Sequence, residues 1–138
     1  MKLEIDFLNL VIKGFCPEIN DMSSTICSRP INVNDYDLIF AGAQKNLGIA
    51  GLTIVIANND LIENKAKNLP PISRYEAHAK EKSMLNTSPV FAWYVAGLVF
   101  KWILDQGGLK TMGEINKEKE KKLLLCLTSL HRFVKKRK

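Results

Sequence analysis

Apolar positions along the chain fall into a few short runs separated by polar or small-residue segments. Leu38-Ile39-Phe40-Ala41 is an apolar run of strand length, introduced by Asp35-Tyr36-Asp37. Leu52 to Ala57 is dominated by β-branched residues and lacks an alternating polar face, which predicts a strand buried on both sides. Between them, Ala41 to Gly51 is rich in small residues and reads as a loop. Residues 1–18 mix apolar and acidic groups and end in Gly14 and Pro17, suggesting a weak strand or helix and then a turn. Asp60 and Glu63 have the spacing of a capping box for a short helix ended by Pro70-Pro71. Residues 72–88 read as a long polar connection. A buried helix is predicted from Pro89 to Gln106, stopped by Gly107-Gly108. A second begins near Thr111 and places Leu123, Leu127, Leu130 and Val134 on one face. Strands followed by helices, with apolar strands, predict an α/β fold.

Composition narrows this picture. The chain has 138 residues, of which 46% are hydrophobic, enough for a real core and too much for disorder. Its net charge of +6 is unevenly placed. Residues 117–138 carry nine basic and two acidic side chains, a net +7, while residues 1–116 carry 11 basic and 12 acidic groups, a net −1. The basic balance is therefore an appended segment and not a nucleic-acid-binding face spread over the fold. The simplest reading of that segment is a solvated chain end. Trp93, Tyr94 and Trp102 sit among apolar residues and are expected to pack in a core. The three cysteines, Cys16, Cys27 and Cys126, form no C-x-x-C pair, which argues for a reducing cytoplasm and against a disulfide framework or a metal site. The run from Val90 to Phe100 falls short of the roughly 18 apolar residues of a membrane span.

Three constellations could carry chemistry. Lys45 stands in a loop of small residues that lets a bulky group approach the backbone, and a lysine amine forms Schiff bases with carbonyls. A surface lysine in a Gly-rich loop is the plainer alternative. Asp21, 24 residues earlier at the end of a candidate strand, could face that lysine across a parallel sheet. A carboxylate there can hold a pyridine nitrogen protonated, although for Asp21 taken alone a helix-cap or turn aspartate is the plainer reading. Asn86 and Thr87, before Ser88-Pro89 and a helix start, form a candidate phosphate corner or an ordinary cap.

Taken together, these motifs resemble a known family. Asp21-Met22-Ser23-Ser24-Thr25-Ile26, Ile39-Phe40-Ala41-Gly42-Ala43-Gln44-Lys45-Asn46, Ala50 to Ile56, and Leu85-Asn86-Thr87-Ser88-Pro89 leading into Phe91 to Trp102 are similar to the phosphoserine aminotransferases, in that family's order and spacing. The resemblance covers about residues 19–123. It implies part of the large domain of the aspartate-aminotransferase-like (fold type I) architecture, with an incomplete, mostly parallel sheet and helices, in a family that works as a homodimer. It divides the chain into a divergent segment 1–18, a pyridoxal-phosphate-binding fragment 19–123 and a divergent basic tail 124–138. It implies that Lys45 carries pyridoxal phosphate and shuttles the reaction's proton, that Asp21 pairs with the pyridine nitrogen, and that Gln44 contacts the cofactor at its phosphate. Asn86 and Thr87 are implied to reach the cofactor phosphate of the other subunit.

The implied reaction moves an amino group between glutamate and 3-phosphohydroxypyruvate in serine biosynthesis, and bacterial members also serve vitamin B6 synthesis. Family chains are more than twice this long, so the resemblance implies an internal fragment, weak or inactive alone. The alternative is a non-catalytic interaction protein whose basic tail binds acidic partners. A membrane is not expected as a partner, nor is nucleic acid.

Overall fold

The computed structural model describes residues 16–63 and 68–135. Its centre is β2 (Leu38–Gly42), which lies between β1 (Ile19–Asp21) and β3 (Thr53–Ala57). β1 runs parallel to β2 with Ile19 opposite Leu38 and Asp21 opposite Phe40. β3 runs antiparallel, with Leu38 opposite Ala57 and Gly42 opposite Thr53. These three strands thus form a mixed sheet, not a mostly parallel one. The connections explain it: residues 22–37 are long enough for a parallel crossover, whereas residues 43–52 fold straight back. Their return is closed by the Ala43 N–H donating to the Leu52 carbonyl at 2.9 Å.

The core lies against β2. Met22, Ile26, Ile39, Ala41, Ala43 and Leu47 are buried together, with Cys27, Ile31, Tyr36, Leu52 and Ile54 packed at their margin. The apolar strand 38–42 is thus covered by the two segments that follow β1 and β2. β3 departs from expectation. Thr53, Val55 and Ile56 are exposed, because β3 lies at the edge of the described sheet and only Ile54 reaches the margin of the core.

The helices begin near their expected positions. α1 (Asn59–Glu63) is capped by Asn58, whose Oδ1 accepts from the Asp60 N–H at 3.2 Å, so Asn58 replaces the expected Asp60–Glu63 box. Leu69 and Pro70 are already outside any helix. The expected polar connection contains a 3-10 turn, Pro71–Ser73, and a short helix, α2 (Tyr75–Lys80). α3 (Val90–Asp105) starts directly after Pro89, and only Ala92, Ala96 and Ile103 are buried. The buried helix expected here is exposed along most of its surface. Gly107 and Gly108, with φ of 98° and 79°, reverse the chain into α4 (Gly108–Lys135), one turn earlier than Thr111.

α4 absorbs most of the basic segment, so Lys117, Lys119, Lys121 and Lys122 stand exposed on a helix and not on a loose chain end. Its first turns are fixed to the body by the Asn116 amide donating to the Ser28 carbonyl at 2.8 Å. No helix among the described residues is long and apolar enough to cross a membrane. The strand or helix expected within residues 1–18 falls largely on residues 1–15, which lie outside the described residues.

Candidate functional site

Because β1 and β2 are parallel, their carboxyl ends open onto the same edge of the sheet, the usual position for a ligand crevice in α/β folds. Asp21 is the last residue of β1 and Gly42 the last of β2. Ser23 joins the two ends. Its Oγ accepts from the Gly42 N–H at 2.9 Å and donates to Asp21 Oδ1 at 2.6 Å, while its own N–H donates to the same oxygen at 2.9 Å. The hydroxyl and backbone N–H of Ser23 hold the Asp21 carboxyl below its ordinary value of 3.8; slight desolvation opposes this, and the positive charge of Lys45 adds to it. Asp21 is therefore ionised at neutral pH, and Lys45 is close enough to act on it.

The turn after β2 presents Lys45 outward. Ala43 and Leu47 are both fully buried, and the Leu47 N–H donates to the Ala43 carbonyl at 3.2 Å. With positions 43 and 47 facing in, Gln44 and Lys45 face out and are exposed. Asn46 fixes this turn to the one after β1. Its Nδ2 donates to the carbonyls of Ser24 and Ile26, each at 3.0 Å. The Gln44 side chain lies back over Gly42, where an added methyl would collide with its carboxamide. Neither that amide nor the Lys45 amine is engaged in a hydrogen bond or ion pair among the described residues.

Asp21, Gln44 and Lys45 are thus gathered at one sheet edge. Asn86 and Thr87 are not joined to them. Both are exposed on the segment leading to α3 and make no side-chain hydrogen bond among the described residues. Further along, Pro89 lies beside Gly51, and Val95 and Ala96 of α3 lie against Gly48. Ser23 and Asn46 hold these groups in place, and patterning did not single them out. Asp-x-Ser and a polar residue beside a candidate lysine are the signals that could have found them. Among the described residues, no group of three or more His, Cys, Asp or Glu side chains could hold a metal ion.

The class-V aminotransferase family model matches residues 17–137. A phosphoserine aminotransferase of Acinetobacter baylyi is 50% identical over 107 residues, which are 78% of this chain and 30% of its own. That of Hahella chejuensis is 46% identical over 119 residues, 86% of this chain and 33% of its own. Among solved structures, the pyridoxal-phosphate-bound phosphoserine aminotransferase of Trichomonas vaginalis superposes with a TM-score of 0.78 at 45% identity, over 83% of this chain and 32% of its own. The enzyme of Bacillus circulans subsp. alkalophilus gives 0.74 at 45% identity, over 78% and 30%. The chain spans about a third of the length of these relatives.

Proposed function

As the chain belongs to the class V aminotransferase family, we propose that it carries the lysine-bearing part of a pyridoxal-phosphate site for amino transfer between glutamate and 3-phosphohydroxypyruvate. The observation that carries this reading is the pairing of an outward lysine amine with an ionised carboxylate at the ends of two parallel strands.

The residues present fit the cofactor. Lys45 offers an unengaged amine to its aldehyde carbon, and Asp21 keeps one carboxylate oxygen, Oδ2, without a hydrogen bond among the described residues. An ionised Asp21 stabilises a protonated pyridine nitrogen, and Ser23 keeps it ionised. The unengaged Gln44 amide can donate to a phosphate oxygen at the same edge. Asn86 and Thr87 are assigned to the cofactor phosphate of a second subunit, which agrees with their exposure and their separation from Lys45 within one chain. The chemistry the group supplies when bound is an electron sink that stabilises negative charge on the amino acid's Cα. Lys45 Nζ, once free, takes the proton from that Cα and returns it, as a general base and then an acid.

Residues 19–123 are the cofactor-binding segment of this reading, with 124–138 a basic extension. The protein acts as a homodimer in a reducing cytoplasm, in keeping with its free cysteines. Turnover by this chain alone is weak or absent. Orientation contributes much of an enzyme's rate, and about two thirds of the relatives' length lies outside the match.

Mixing the purified chain with pyridoxal phosphate tests the site. We expect a visible absorption band, and borohydride reduction that leaves the cofactor's mass on the peptide bearing Lys45. Lys45→Ala abolishes both, and Asp21→Asn weakens binding. A band that persists in Lys45→Ala would overturn the assignment.

A further inference from the structure

α4 divides into a seated half and an open one. Up to Asn116 it rests on the body: the Asn116 amide donates to the Ser28 carbonyl at 2.8 Å, and Gly113 lies against Arg29 and Pro30. From Lys117 to Ser129 every residue is exposed, so about 20 Å of helix is open to solvent on all sides. That open half is not simply polar. Leu123, Leu124 and Leu127 are 60, 56 and 55% exposed and fall within about a third of the helix circumference. The sequence repeats the spacing at Leu130 and Val134. Residues 121–138 carry seven basic side chains and no acidic one. Lys121 is paired with Glu118 at 2.7 Å, whereas Lys122 has no ion pair among the described residues. The neighbouring hydroxyls turn back onto the helix, Thr128 donating to the Leu124 carbonyl at 2.5 Å and Ser129 to the Leu125 carbonyl at 2.9 Å.

We infer that the open half of α4 lies on an anionic lipid surface, with its leucine stripe at the acyl boundary and its basic side chains among the headgroups. Charge and chemistry select this occupant. Leucines flanked by lysines call for a partner that is apolar and anionic at once, which a leaflet of acidic lipids is. A second copy of the helix brings the same seven basic side chains, and like charges repel. A shaped acidic protein surface would be recognised through directed hydrogen bonds, but Thr128 and Ser129 are already satisfied within the helix. What remains is leucines and point charges, which a fluid surface meets without fitted shape. Lying on a surface needs no span, so it agrees with the lack of a membrane-crossing helix among the described residues. It replaces the expectation of no membrane partner, which took the basic segment for a solvated chain end, whereas the segment is helical as far as Lys135. The inference is independent of cofactor binding at Lys45 and of the pairing of two copies.

The test is flotation of the purified full chain with vesicles of phosphatidylcholine, alone or with about a quarter phosphatidylglycerol. We expect partition onto the anionic vesicles at least tenfold above that onto the neutral ones. It falls at least tenfold between about 50 and about 500 mM salt. Leu123→Gln with Leu127→Gln lowers partition at least tenfold, while Leu125→Gln, on the opposite side of the helix, changes it less than twofold. Amide exchange at residues 38–42 and circular dichroism show that the body is folded and α4 helical in each variant. Lys45→Ala partitions as the parent chain does, so a failure of the cofactor reading is distinguished from a failure of this one. Equal partition onto both vesicles, or onto neither, overturns the inference. So does a loss in Leu125→Gln as large as that in the stripe variant. Retention by poly-glutamate or duplex DNA without partition onto vesicles also overturns it, and would make the partner an acidic macromolecule.

Discussion

Ser23 uses a single hydroxyl to hold together the ends of two strands, accepting from Gly42 and donating to Asp21. Ser23→Ala removes both bonds. The Asp21 carboxyl then titrates closer to 3.8, which carbon NMR of the carboxyl group measures directly. The pH dependence has a definite sign. Asp21 titrates lower in the folded chain than in the unfolded one, so its ionised form favours folding above about pH 3.8 and that contribution fades as pH falls through the folded value. The variant has a smaller loss of stability on this acid limb. At neutral pH it loses about 1 kcal/mol from the orphaned Gly42 N–H, read from urea midpoints. Asn46→Ala leaves the carbonyls of Ser24 and Ile26 without their donor and costs about 1–2 kcal/mol. It also loosens the turn beside Lys45, so pyridoxal phosphate binds more weakly in an absorbance titration. Lys45 and Asp21 are legible in the sequence because their residue types and spacing are themselves the motif. Ser23 and Asn46 are not, because a short polar side chain acquires its role from backbone groups that only the fold brings within reach.

Elements were legible in position more than in environment. The strands at 38–42 and 53–57 and the helix at 90–105 lie within a residue or two of where apolar runs and Pro/Gly punctuation put them. Their burial differs, because an apolar run records what a segment needs covered and not what covers it. Val55, Ile56 and Phe91 need burial, and nothing among the described residues supplies it. The contact that fixes α3 is itself backbone-encoded. Gly48 has φ of +146°, and a Cβ there would stand 3.2 Å from Val95 Cγ1 and 3.4 Å from the Ala96 nitrogen. Gly48→Ala therefore combines backbone strain with a crowded helix seat, at a cost of about 1–3 kcal/mol. Urea unfolding followed by the fluorescence of Trp93 and Trp102 on α3 checks this, with a lower midpoint expected.

At the scale of the whole molecule, the imbalance between buried and bare apolar surface governs stability. Among the described residues the large side chains that are fully buried are Ile39 and Leu47, and four of the other buried apolar residues are alanines, Ala41, Ala43, Ala92 and Ala96. Folding must offset roughly 1–2 kcal/mol of backbone entropy per residue, so a core this small leaves the lone chain marginal. Association of two copies, as proposed for the site, then acts as a ligand that binds only the folded state, so the melting temperature climbs with the concentration of the chain. Calorimetry across a concentration series checks this, and a melting temperature that does not move with concentration would mean that the folded chain is a monomer.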